Sequence, residues 1–205
     1  MRVVHYFDYK SPYSYLAQEA TWALAGETEA AIDFLPYTLD IPSYLGRAEV
    51  DEQGRVLSAD RTAHQWRRVR YAYMDCRREG QRRGLVIRGP RKIYDSSIAH
   101  IGFLWAKRIG RPRSYHDSVF QLFWRRELDI ESVDSIGALL ERCGVEIGGF
   151  AEFLAGEGRL EHDRIRAEAE AKGVFGVPSY LVDEELFWGG ERISRVRERL
   201  LAARR

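Results

Sequence analysis

Apolar positions fall into two kinds of pattern along this chain. Val3, Val4, Tyr6 and Phe7 form a short run of β-branched and aromatic residues around His5, which predicts a buried strand. Beyond Asp8 the spacing becomes helical. Leu16, Ala20, Ala23 and Leu24 share a face over residues 13–25, with Gly26 as the expected stop. Residues 32–37 are strand-like again, closing a β-α-β unit with parallel strands and a right-handed crossover.

From about residue 60 to residue 172 the periodicity is helical. A helix over 62–80 puts Trp66, Val69, Tyr73 and Cys76 on one face. Another, capped by Asp95 or Ser96, turns Ile98, Ile101, Trp105 and Ile109 inward. Pro112 opens a third, and further helices cover 132–143 and 160–172. The whole middle reads as a helical block with no strand of its own. At Val174 the pattern reverts: 178–182 and 185–188 pair around an Asp183-Glu184 turn, and a helix over 191–203 closes the chain.

A β-α-β half followed by a β-β-α half builds a four-stranded mixed sheet flanked by helices. The expected class is therefore α/β, a thioredoxin-like fold carrying a large all-helical insertion domain. Residues 1–40 and 173–205 form the thioredoxin-like part, and 41–172 the insertion. Neither half can bury its sheet face alone, so the two must pack together.

Composition narrows the function more than the fold. A formal net charge of +1 argues against a global polyanion binder, so no nucleic-acid partner is expected. Eleven Arg or Lys between Arg61 and Lys92, against Asp75 and Glu79, read as a solvated helix face, or next as a wall attracting an anionic substrate. No stretch approaches the ~20 apolar residues of a membrane span, and the early Asp8 does not suit a secretory signal. A cytoplasmic protein is expected. Cys76 and Cys143 are far apart, with no Cys-x-x-Cys, and read as free thiols. Five histidines show no ligand spacing, so no metal site is expected.

The chemistry concentrates at three places. Ser11-Pro12 sits between the first strand and first helix, with Ser11 in the cap position and Pro12 at the first helical one. A helix N-terminus there attracts an anion such as a thiolate. Alone, Ser11 reads first as a cap, and the neighbouring Lys10 as a surface lysine. Gly173-Val174-Phe175-Gly176-Val177-Pro178 precedes a strand, and its X-Pro bond is expected to be cis, leaving Val177's backbone groups for an extended ligand. Gly189-Gly190-Glu191 opens the last helix. Free N–H groups there suit a carboxylate and Glu191 an ammonium, a match for the zwitterionic end of an amino acid, with a simple helix-dipole role for Glu191 equally open.

Phe7 to Ala17, together with Gly173 to Pro178 and Leu186-Phe187-Trp188-Gly189, resembles the branch of the DsbA-like superfamily that holds the 2-hydroxychromene-2-carboxylate isomerases and kappa-class glutathione transferases. In that branch a serine replaces the first cysteine of the Cys-x-x-Cys motif; here Ser11 and Ser14 replace both. The resemblance implies bound glutathione, with its thiol near Ser11, its cysteinyl backbone on Val177 beside Pro178, and its γ-glutamyl end near Gly190 and Glu191. It implies an isomerase or transferase acting on an aromatic, anionic small molecule, with a homodimer left open. The other reading is a DsbA-like member that keeps the groove for a peptide or another thiol without dithiol chemistry. The chain departs from the branch after its second strand, where it carries Asp40 to Gly46 and, throughout, no asparagine.

Overall fold

The computed structural model describes residues 2–202. Strand β1 (Val3–Phe7) is buried at every position, as an unbroken apolar run requires when both faces of a sheet are covered. Helix α1 (Pro12–Thr28) starts where expected but runs past Gly26 and ends at Glu29 in the left-handed region. An interior glycine costs only about 1 kcal/mol relative to alanine. Packing of Leu24 and Thr28, both fully buried, carries the helix through it. Ala23, on the predicted face, is exposed. Strand β2 (Ile32–Pro36) pairs in parallel with β1, from Val3 opposite Ile32 to Phe7 opposite Pro36.

The segment after β2 differs from the expectation at one point. Beyond a single helical turn, α2 (Ile41–Leu45), it forms an antiparallel ribbon of β3 (Ala48–Val50) and β4 (Val56–Ala59). The expectation of no strand there is corrected. The ribbon is held by its turn: the Asp51 carboxylate accepts the N–H groups of Gln53 and Arg55, both at 2.9 Å, and Gly54 supplies a φ of +83°. Every residue of β4 is exposed, so no alternation of buried and polar positions marks it.

The rest of the insertion is helical. Helix α3 (Ala63–Arg82) begins with a reciprocal cap between Thr62 and Gln65. Then come α4 (Ser97–Arg108), α5 (Pro112–Trp124), α6 (Val133–Arg142), α7 (Phe150–Ala155) and α8 (Glu157–Ala171). The predicted inner face of α4 is only partly right. Ile101 is buried, but Trp105 is half-buried and Ile109 exposed, while His100, Phe103 and Leu104 are buried instead. Helix α4 packs against α5, α6, α7 and α8, so its buried surface exceeds any single stripe. Helix α7 is six residues long, too short to show a period, and is anchored by Phe150, Phe153 and Leu154.

Strands β5 (Ser179–Val182) and β6 (Glu185–Trp188) return the chain to the sheet, and one 3-10 turn, Gly190–Arg192, leads into α9 (Ile193–Ala202). The sheet order is β2-β1-β5-β6, with β5 antiparallel to both neighbours. Val177–Pro178 is cis. One face of the sheet meets the insertion through Phe7, Phe103, Phe120 and Trp124; the other is closed by Val3, Leu24, Tyr180 and Val196.

Three of the four buried histidines lie deepest in this core. Burial pushes His5 down to about 3 and His100 down to about 4, and drives His116 well below the ordinary range. Their folded values lie below the ~6.5 of an unfolded chain, so the stability they contribute is complete above that pH and is lost as pH falls. We expect urea melts between pH 7 and pH 5 to show stability falling by about 1.4 kcal/mol per histidine per pH unit below 6.5. A flat profile over that window contradicts their neutral burial.

Candidate active site

The turn between β1 and α1 is fastened by the insertion. Asp8 is fully buried, and its carboxylate accepts the Leu39 N–H at 2.8 Å, the Lys10 N–H at 3.1 Å and the Ser96 hydroxyl at 2.7 Å. Lys10, expected at the surface, is instead 5% exposed, with Nζ 3.1 Å from Asp8 Oδ2 and donating to Ser96 Oγ at 3.1 Å. A buried ammonium is tolerated because it meets a buried carboxylate and an extra acceptor. Burial alone would raise the Asp8 carboxyl. The Lys10 ammonium, with the Leu39 N–H, overcomes that and holds it well below the usual range.

Tyr9 is fixed on three atoms. Its N–H faces His100 Nε2 at 3.4 Å, its hydroxyl pairs with His116 Nδ1 at 3.3 Å, and its carbonyl accepts the Trp124 indole N–H at 3.1 Å. The tautomers follow from the surface inward. Asp163 accepts from His162 Nδ1 (2.9 Å), so His162 Nε2 accepts from Thr38 Oγ1 (2.8 Å), and Thr38 accepts from His100 Nδ1 (2.7 Å). His100 Nε2 is then an acceptor, as the Tyr9 N–H requires. Sequence reasoning missed Ser96, His100 and His116 as fasteners. Their signal was polar residues placed among the apolar positions of the helical block.

Ser11 caps α1: its hydroxyl accepts the Ser14 N–H at 3.2 Å and donates to the Val177 carbonyl at a long 3.5 Å. The sheet thus brings together two residues 166 positions apart. Ser14 Oγ is buried and has no hydrogen-bond partner among the described residues. Val177, Pro178, Gly190 and Glu191 line one cleft of about 740 Å³, together with Tyr13 and Ala17. Ser11 sits behind the Val177 end of this cleft and is itself 4% exposed.

The glycine pair is used unequally. Gly189 adopts φ +105° and donates its N–H to the Pro178 carbonyl at 2.8 Å, so the expected pair of free donors narrows to Gly190. Glu191 folds over Gly189, and Gly190 lies so close to Ala17 that a Cβ there would meet it at 3.2 Å. The cleft carries both signs of charge, with Asp75, Glu79 and Glu191 against Arg83 and Arg197. At its rim the exposed rings of Phe175 and Trp188 pack 4.9 Å apart. Cys76 is buried and Cys143 half-buried, both free; burial pushes the Cys76 thiol up to about 12, which leaves it unreactive. The cleft therefore has no thiol nucleophile of its own. Behind its Val177 end lies the Ser11 hydroxyl at the positive end of a 17-residue helix, an environment that favours an anion such as a thiolate.

The family described as DSBA-like thioredoxin domain matches residues 2–201. Two similar proteins are 2-hydroxychromene-2-carboxylate isomerases. That of Sphingobium xenophagum is 26% identical over 96% of this chain and 96% of its own. That of Pseudomonas putida is 28% identical over 94% of this chain and 91% of its own. Among solved structures, a 2-hydroxychromene-2-carboxylate isomerase superposes with a TM-score of 0.75 at 23% identity, covering 99% of this chain and 96% of that one. No helix among the described residues is long and apolar enough to cross a membrane.

Proposed function

The chain belongs to the DSBA-like thioredoxin domain family, and from that premise we propose a glutathione-dependent isomerase of the 2-hydroxychromene-2-carboxylate isomerase kind, or a kappa-class-like transferase, acting on an aromatic anionic small molecule. One observation carries the reading: Val177, Pro178, Gly190 and Glu191 line a single cleft, and the Ser11 hydroxyl at the head of α1 bonds the Val177 carbonyl behind it. An extended tripeptide lies along such a cleft with its cysteinyl backbone on Val177 and its γ-glutamyl zwitterion at Gly190 and Glu191. Its thiol then meets the Ser11 hydroxyl and the helix N-terminus, which lower its pKa below the ordinary ~8.5. The thiolate adds to a conjugated carbon of the substrate, the former double bond rotates, and elimination returns the thiolate unchanged. Such chemistry belongs in the cytoplasm, where thiols stay reduced.

Millimolar glutathione is expected to raise the melting temperature of the purified chain in a thermal-shift assay. At a hundredfold excess over the dissociation constant the stabilisation is about 2.7 kcal/mol. No shift at that concentration contradicts the reading. The second reading, a DsbA-family peptide- or thiol-binding protein without a dithiol, draws on the exposed Phe175–Trp188 pair at the cleft's rim. Tight peptide binding with no glutathione binding favours it.

A further inference from the structure

A second cavity, of about 380 Å³, lies on the opposite face of α3 from the cleft. Asp75 and Glu79 of that helix, with Arg83 at its C-cap, face the cleft, whereas residues 66, 70, 73 and 77 face the cavity. Lys10, the neighbour of Ser11 in sequence, forms part of its lining. Apolar side chains, including Ile41 and Val50, and the rings of Trp66, Tyr73 and Tyr94 supply flat walls. No acidic residue lines it.

Its charge is unbalanced. On the other faces of α3, Asp75 pairs with Arg78, and Glu79 with Arg82 and Arg83. Around the cavity, Arg61, Arg70, Arg77 and Arg126 have no carboxylate within salt-bridge distance among the described residues. Three of the four are nevertheless held in place. The Arg61 guanidinium sits 5.1 Å over Trp66, that of Arg77 5.9 Å over Tyr73, and Arg126 donates twice to the Gly89 carbonyl. Guanidinium groups anchored by rings and a carbonyl keep N–H donors free for a planar oxyanion. A single carboxylate engages one or two of these groups and leaves the rest repelling one another. Two carboxylates on a flat ring match both the charge and the walls.

We propose that this cavity binds a planar aromatic ligand carrying two negative charges, held by Arg61, Arg70, Arg77 and Arg126 against Trp66 and Tyr73. This deepens the proposed function, on which it rests for the view that the cavity is the acceptor site. The binding itself is measured without glutathione, so the two readings fail separately.

The experiment is calorimetric titration of the full chain with benzene-1,2-dicarboxylate and with benzoate. The dicarboxylate is expected to bind at least about tenfold more tightly, with affinity falling as salt is raised. The double variant Arg70→Gln/Arg77→Gln changes two exposed helical positions and is expected to remove that preference while its circular-dichroism melt stays cooperative. Arg78→Gln/Arg82→Gln, on other faces of the same helix, is expected to keep it. Equal affinity for the two anions, no binding of either, or a preference that survives the first double variant overturns the proposal. A dicarboxylate preference without a glutathione-induced thermal shift supports the cavity and rejects the cofactor; the reverse pair of results does the opposite.

Discussion

Replacing Ser11 by alanine is expected to lower the proposed glutathione-dependent turnover by about 10²–10³-fold, the loss typical of removing one hydrogen-bond donor from a developing anion. The same substitution removes the cap of α1 and costs about 1 kcal/mol of stability. The two effects separate because the Ser11 hydroxyl has two sides. Its oxygen accepts the Ser14 N–H, which is the capping role. Its proton goes to the Val177 carbonyl and is the part a thiolate would recruit. Ser11→Cys tests the division, since a thiol caps poorly but ionises. Steady-state kinetics with glutathione, beside a chemical melt, check the expectation. Turnover that drops no more than the stability change explains reduces Ser11 to a cap and removes the central role proposed for it.

The second large effect is on folding. Lys10→Met leaves the Asp8 carboxylate buried without its cation and is expected to cost about 3–5 kcal/mol. Asp8→Asn/Lys10→Met removes both charges and is expected to recover part of that loss: the amide oxygen can accept the Leu39 N–H while the amide NH2 donates to Ser96 Oγ, leaving the Lys10 N–H without its acceptor. The sign with pH is fixed by Asp8. Its folded carboxyl is held below its unfolded value, so the charged pair contributes stability above about pH 3.9 that is lost as pH falls. The difference between wild type and Lys10→Met should therefore shrink as Asp8 protonates. Urea melts of the three proteins at pH 7, where Asp8 is charged, check the order of their stabilities. A Lys10→Met variant as stable as wild type at pH 7 contradicts the structural role of the pair.

Local signals were enough for the two ends of the chain. The buried run of β1, the Ser11 cap with Pro12 behind it, and the glycine loop before Pro178 each announce themselves within a few residues. The order of elements then places them at one end of the sheet. What stayed hidden depends on distant partners. Lys10 reads as exposed until helix α4, more than eighty residues on, closes over Asp8 and supplies Ser96 at its cap and His100 in its first turn. The β3–β4 ribbon was invisible because it buries nothing; a turn built by Asp51 and Gly54 holds it, with no apolar face to give a period. Gly26 reads as a stop on local propensity alone, and the buried packing of Leu24 and Thr28 carries the helix through it. The cavity behind α3 was legible as a run of arginines, but only the fold shows that their acidic neighbours face the other way.

The most direct test of the account is a crystal of this protein soaked with glutathione. It is expected to show the sulfur within hydrogen-bond reach of Ser11 Oγ, the cysteinyl backbone paired with Val177 beside Pro178, and the γ-glutamyl end at Gly190 and Glu191. An empty cleft, or glutathione bound with its thiol away from Ser11, contradicts it.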